Sequence, residues 1–365
     1  MFRTALAALG LATSAPAQNA PPADPYAPAR AIVEDVQRIV TPDGVDDQFV
    51  ANIGGIPQAV SVRGANRSNP IILFLHGGPG AVEMPMAWSF ERPWEDYFTV
   101  VQWDQRGAGK TYALSDPAKV APTMTLERYR DDTIELIDLL RKKYGKRKII
   151  LVGHSWGSFL GLAVAIERPD LLYAYVGIGQ VIGWRENEKA GFDWTLAEAR
   201  RRHDEKAVRA LEAMQPYPGP GPLKIEDADG WRKYAITYGS LAADRDNADF
   251  YFEAAKLSPE YTPADRQAWD KGSALTVHTL WPRLSDKSFA DVHRLQVPVV
   301  LFLGRHDHTA TPSLAAEWLD RLSAPSKKLV WFEHSAHLPM MEEPGRTFAA
   351  LLEYVLPLAS ESEAK

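Results

Sequence analysis

The sequence predicts an α/β fold, a mainly parallel sheet covered by helices on both faces and interrupted by a helical insertion. Three observations carry this. First, Ile71–Leu75, 149–152 and 297–304 are continuous apolar runs rather than alternating ones, the pattern of strands buried on both faces. Second, such runs alternate with helix-forming stretches along the chain, which implies parallel crossovers. Third, buried-strand runs stop between about residues 181 and 295, where Arg, Glu, Lys and aromatics dominate, and then resume. The expected layout is a core of residues 31–180 and 296–365 with a helical cap at 181–295.

Composition narrows the possibilities. At 365 residues the chain is long enough for one large domain with an insertion. Apolar residues make up 45% and charged residues 24%, ordinary values for a protein with a sizeable core. The net charge of -6 is spread along the chain, with no polybasic stretch to offer nucleic acid or a membrane surface. With no cysteine there is no disulfide framework, thiol nucleophile or thiolate metal site.

The N-terminus reads as a targeting segment. Arg3 precedes an apolar stretch over 4–13, and Ala15-Pro16-Ala17 fits a small-x-small cleavage site. The stretch is too short to span a bilayer. Residues 1–17 are therefore expected to be a signal peptide, and the protein to be exported, either periplasmic or secreted. Residues 18–30 are Pro- and Ala-rich and read as a flexible leader.

Taken in order, short runs at 48–53 and 59–63, separated by Gly54-Gly55, read as hairpin strands. The run Ile71–Leu75 ends in His76-Gly77-Gly78-Pro79-Gly80, which cannot continue a strand and makes a tight loop. A strand over 98–103 leads into Asp104-Gln105-Arg106-Gly107-Ala108-Gly109-Lys110-Thr111. Residues 125–144 form an amphipathic helix, with Gly145 as its C-cap. A short strand is expected over 175–179. Helices are expected over 186–214, 231–241, 248–257 and 263–275 in the cap, with a proline-rich break at 216–222. A strand over 297–304, a helix over 313–322, a strand over 328–333 and a helix over 346–356 complete the chain.

The chemistry centres on Gly153-His154-Ser155-Trp156-Gly157, between the apolar run at 149–152 and a helix-forming stretch. Strand, sharp turn, helix with Ser at the bend is the context in which G-x-S-x-G presents a nucleophile. Gly153 and Gly157 lack Cβ atoms, so strand and helix can approach closely. A serine hydroxyl needs a base, and the base an orienting partner. Asp307 follows the strand ending at Gly304, and His337 follows the strand ending at Glu333. Ser, acid and His thus occur in the expected chain order on loops at one sheet edge. His334 competes with His337 as the base, but His337 lies farther from the strand and is favoured. Asp286 and Asp291 compete with Asp307 but lie in or at the end of the cap. The tetrahedral oxyanion needs donors, and the backbone N–H groups of Trp156 and Gly78 are the candidates.

Together, His-Gly-Gly-Pro-Gly (76–80), Asp-Gln-Arg-Gly-Ala-Gly (104–109), Gly-His-Ser-Trp-Gly (153–157) and Gly-Arg-His-Asp (304–307) resemble the prolyl aminopeptidase (proline iminopeptidase) branch of the α/β-hydrolases. The likeness covers roughly residues 48–180 and 296–356. It implies an α/β-hydrolase fold, with Ser155 as nucleophile, Asp307 as acid, His337 as base and Gly78 and Trp156 as oxyanion donors. It also implies a helical cap whose carboxylates bind the substrate's free amine. The family's serine after Asp-Gln-Arg-Gly-x-Gly-x is Thr111 here.

The expected function is a serine hydrolase acting through an acyl-enzyme, releasing an N-terminal residue, such as proline, from short peptides or amino-acid amides. The alternatives are an esterase or amidase on a small non-peptide substrate, and a non-catalytic binding protein on a hydrolase fold. Glu83, Trp184, Glu188 and Trp281 are candidate substrate contacts. Glu186, Asp193 and Glu198 offer further cap carboxylates, each of which also reads as a solvated helix face. No cofactor is expected. His306, His308, His334 and His337 lack the spacing and partners of a metal site. Gly107–Thr111 lacks the full phosphate-loop pattern. The expected partner is a small molecule or short peptide, with no nucleic acid and no membrane insertion.

Overall fold

The computed structural model describes residues 24–360. The expected signal peptide and the leader up to residue 23 lie outside the described residues. The strands are β1 (Val45–Ile53), β2 (Ile56–Gly64), β3 (Ile71–Leu75), β4 (Thr99–Trp103), β5 (Ile149–His154), β6 (Leu172–Ile178), β7 (Val299–Gly304) and β8 (Lys327–Phe332). They form one sheet in the order β1-β2-β4-β3-β5-β6-β7-β8. The β1–β2 and β2–β4 pairs are antiparallel, and the other five are parallel. β3 to β7 are buried along their whole length, as the continuous apolar runs of β3, β5 and β7 require. The edge strands β1 and β8 keep exposed positions.

The ends of β3, β5, β6 and β7 converge on one edge, and the site is built there. Between β6 and β7 the chain leaves the sheet for the helices Trp184–Arg201, Glu205–Glu212, Ile225–Thr237, Asp249–Ala254 and Pro263–Leu284. The first three of these carry a small core of their own, centred on Phe192, Leu196, Leu211 and Trp231. Trp184 and Trp281 instead belong to the main core, where their rings meet edge to face at 5.0 Å.

Several boundaries differ from expectation for local reasons. The leader expected over 18–30 overlaps the helix Ala27–Val36, which starts with a proline in its first turn and is tied down by Arg30 Nη1 donating to the Lys256 carbonyl at 3.1 Å. The single helix expected over 186–214 is two, because Asp204 caps a new one by accepting from Ala207 N. The helix expected over 263–275 runs on to Leu284, starting from a Thr262–Asp265 capping box. The last helix, expected over 346–356, begins at Pro344 and passes through a π-helical turn at Leu351–Val355.

Candidate active site

β5 ends at His154, and the Trp156–Glu167 helix begins directly after Ser155. Ser155 sits between them at φ 55°, a left-handed conformation that costs a non-glycine residue energy. Such strain is what the strand–turn–helix elbow imposes on its central residue. Gly157 makes the bend possible: a Cβ there would overlap the Leu75 carbonyl at the end of β3. The N–H of Trp156, in the first turn of the helix, has no intrahelical acceptor and lies at the positive end of the helix dipole.

The glycine loop packs against the elbow. A Cβ on Gly77 would come within 3.2 Å of the Ser155 Cβ, and Gly78, at φ 110°, has no room for one. His76 anchors the loop as a neutral ring. Its Nε2 accepts from Gln105 N at 3.2 Å, and its Nδ1 donates to the Gly77 carbonyl at 2.9 Å. Burial pushes its pKa down to about 4, in keeping with that role.

The Asp-Gln-Arg segment braces this arrangement from behind. Trp156 Nε1 donates to Gln105 Oε1 at 2.9 Å. Arg106 makes a buried two-point pair with Asp132, at 2.8 and 3.1 Å. Thr111 keeps the hydroxyl that serine would supply, accepting from Ala59 N at 2.9 Å and donating to the Asp104 carbonyl at 2.6 Å.

Asp307 and His337 come together from the loops after β7 and β8. His337 Nδ1 donates to Asp307 Oδ2 at 2.7 Å. Asp307 Oδ1 accepts from the backbone N–H groups of Thr309 and Ala310 at 2.9 and 2.8 Å. Glu342 holds the His337 loop through the N–H groups of Ala336 and Leu338. Burial lowers the His337 pKa, only partly offset by Asp307, so the ring is neutral near pH 7 and Nε2 is its basic nitrogen.

Ser155 and His337 line one cavity of about 170 Å³. A serine on a strained turn, sharing a cavity with an imidazole oriented by a carboxylate, is the set of groups from which a hydroxyl nucleophile can be activated. Of the residues expected to touch substrate, Glu83, Trp184 and Trp281 line this cavity, as does Gly78. Glu188 does not. It is fully buried, pairs with Arg232, and accepts from Tyr217 Oη and Trp231 Nε1. His334 contributes nothing to the wall, and Asp286 is exposed and pairs with Arg185.

Sequence reasoning missed His154, Tyr251, Asn187 and Arg232, all of which line the cavity. His154 was visible as the residue before Ser155. Its Nδ1 pairs with Glu83, and its Nε2 donates to the His337 carbonyl at 2.8 Å. Asn187 ties the cap to the Asp307 loop, donating to the Thr309 carbonyl and accepting from Thr311 N, both at 2.9 Å. Arg232 carries no sequence signal that separates it from a surface arginine.

Comparison with known proteins agrees with this architecture. The alpha/beta hydrolase fold family matches residues 70–344. A probable aminopeptidase, YbaC, from Bacillus subtilis (strain 168) is 31% identical over 297 residues, covering 80% of this chain and 91% of its own. A proline iminopeptidase of Saccharolobus solfataricus is 24% identical over 303 residues, covering 80% of this chain and 86% of its own. The crystal structure of a proline iminopeptidase from Mycobacterium smegmatis superposes with a TM-score of 0.63 at 19% identity, covering 87% of this chain and all of that one. Among the described residues no helix is long and apolar enough to cross a membrane.

Proposed function

The chain belongs to the alpha/beta hydrolase family, and from that premise we propose that it is a serine hydrolase acting through an acyl-enzyme, releasing N-terminal residues from short peptides or amino-acid amides. The observation that carries the serine mechanism is one cavity holding both the strained Ser155 and a His337 oriented by Asp307 at 2.7 Å. The peptide substrate is supported by relatives named as aminopeptidases.

In this reading Ser155 Oγ attacks the substrate carbonyl carbon while His337 Nε2 takes the hydroxyl proton. Asp307 holds the ring tautomer and stabilises the imidazolium that forms. The N–H groups of Gly78 and Trp156 receive the oxyanion; such a donor is typically worth about 3 kcal/mol. The C–N bond breaks as His337 returns its proton to the leaving amine. Water then attacks the ester, giving its proton to His337. Collapse releases the acid and restores the Ser155 hydroxyl.

Two measurements test this. A fluorophosphonate should label Ser155, and adduct mapping to another residue refutes the nucleophile. Rates on aminoacyl p-nitroanilides, proline included, should exceed those on N-acetylated counterparts. Turnover of p-nitrophenyl acetate without any aminoacyl cleavage would replace the aminopeptidase by an esterase.

We also propose that the protein is exported after cleavage behind residue 17, supported by the sequence pattern of residues 1–17. An intact Met1 in protein recovered from the native host overturns this.

A further inference from the structure

Among the described residues that line the cavity Glu83 is the one carboxylate, and it is 1% exposed. It enters from the core, just past the glycine loop. Its Oε1 is occupied twice, by His154 Nδ1 and by Tyr251 Oη at 3.0 Å. Its Oε2 has no hydrogen-bond partner among the described residues. A buried carboxylate oxygen without a donor loses its hydration and gains nothing in return. Glu95, Asp104 and Glu260 also keep a buried oxygen without a partner, but of these carboxylates only Glu83 lines the cavity.

The neighbours define the donor that fits. Both ring nitrogens of His154 face oxygens, the Glu83 carboxylate and the His337 carbonyl, so the ring carries two protons and a positive charge. His154 thus balances Glu83, and Arg232 balances Glu188. That leaves the negative charge of Asp307 beside a neutral His337, and a monocation completes the set. Position narrows the choice further. His154 is bonded to Ser155 in the chain, so its partner Glu83 lies close to where a substrate carbonyl must sit. An α-amino nitrogen is only two bonds from that carbonyl carbon. The remaining wall is largely apolar, with Val181, Trp184, Trp281, Phe252 and Leu338. It suits a small uncharged side chain.

We propose that Glu83 receives the protonated α-amino group of the substrate, with Oε2 accepting an N–H and Tyr251 and His154 fixing the carboxylate. This rests on the aminopeptidase reading and moves the amine receptor from the cap, where the family resemblance puts it, to the core. Glu186, Glu188, Asp193 and Glu198 are not among the cavity's lining residues.

The test is a calorimetric titration that needs no turnover, on the full chain carrying Ser155→Ala. Its ligands are L-alaninamide, L-prolinamide, their N-acetyl forms and propionamide. The free-amine amides should bind at least ~10-fold tighter than the acetylated or desamino ones, the scale of one charge-assisted hydrogen bond. That advantage should shrink as pH rises past about 8, where an α-amino group loses its proton. Adding Glu83→Gln should abolish most of it, and Tyr251→Phe should reduce it. Equal binding of amine and acetylated ligands overturns the proposal, as does a folded Glu83→Gln chain that keeps the preference. The ligand comparison stands even if Glu83→Gln does not fold. An amine preference in a chain whose native form cleaves no aminoacyl p-nitroanilide supports the amine site and refutes the aminopeptidase reading instead.

Discussion

Glu83 and Glu188 are both buried carboxylates near one cavity, and each is paired with a cation. Glu83 comes from the core loop after β3, and Glu188 from the first helix of the cap. Glu188 is saturated: Arg232, Tyr217 and Trp231 all donate to it, and Arg232 Cζ also lies 5.3 Å from the Trp281 ring centroid. Glu83 keeps one oxygen without a partner and lines the cavity itself. A buried carboxylate whose acceptor positions are all filled holds structure together. One with an acceptor left over, beside a strained serine, is suited to binding. Burial and charge alone do not separate the two cases, nor does an unpartnered oxygen by itself, since Glu95, Asp104 and Glu260 each keep one away from the cavity; an unpartnered oxygen on the cavity wall does.

The largest effects test whether the cavity both carboxylates adjoin is a reaction site at all. Ser155→Ala should lower kcat on p-nitrophenyl acetate and on aminoacyl p-nitroanilides alike, by about 10⁶ if it acts as one unit with His337. Residual activity within tenfold of the native chain removes Ser155 from the mechanism, and the contrast between the carboxylates loses its catalytic meaning. Asp307→Asn should cost about 10⁴ in kcat, because the amide no longer fixes the His337 tautomer. An unchanged kcat with the fold intact would leave the 2.7 Å contact as packing.

The same contrast marks how far the sequence could be read. The core was legible because it rests on local rules. Continuous apolar runs gave the buried strands, and the glycines at 78, 153 and 157 announced turns and close approaches that leave no room for a Cβ. Ser155, Asp307 and His337 could be ordered by counting from strand ends. The cap obeys no such period. Glu188 and Glu186 are two residues apart on one helix, yet one is buried against Arg232 from another helix and the other is not. That difference arises from tertiary packing across 44 residues of sequence. Glu83 fell between the two cases. Its place after the glycine loop was readable, but the His154 and Tyr251 contacts that give it meaning span 71 and 168 residues.

Next in size is stability. Truncation in Glu188→Ala leaves the Arg232 guanidinium unpaired with its side chain only 21% exposed, and should destabilise the fold by about 3 kcal/mol. The denaturant midpoint reads this directly. The preference for free-amine ligands should survive in the folded fraction. A stable Glu188→Ala chain that loses that preference exchanges the roles of the two carboxylates.

The smallest effect is a pH shift that follows from the pairing of Glu83 with His154. In the proposed mechanism His337 is neutral when it takes the Ser155 proton, so activity should fall on the acid side as His337 takes up a proton below its usual value of 6.5. Burial is the main cause of that lowering; Asp307 opposes it, and the charges of His154 and Arg232 add to it. The His154 pKa is raised: burial opposes its charge, but Glu83 and the His337 carbonyl outweigh burial. His154→Gln removes a positive charge that helps hold the His337 pKa down, which favours a protonated His337. The acid limb of kcat/KM for p-nitrophenyl acetate should therefore move to higher pH. The linked stabilities have opposite signs. The contribution of His154 is present below 6.5 and fades as pH rises through its folded value, whereas that of His337 is present above 6.5 and fades as pH falls through its own. His154→Gln should thus flatten the alkaline side of the stability profile while raising the acid limb of the rate. A limb that stays in place, or moves to lower pH, means that His154 is neutral. Glu83 would then lack the counter-charge that sets it beside Glu188 as the second paired carboxylate.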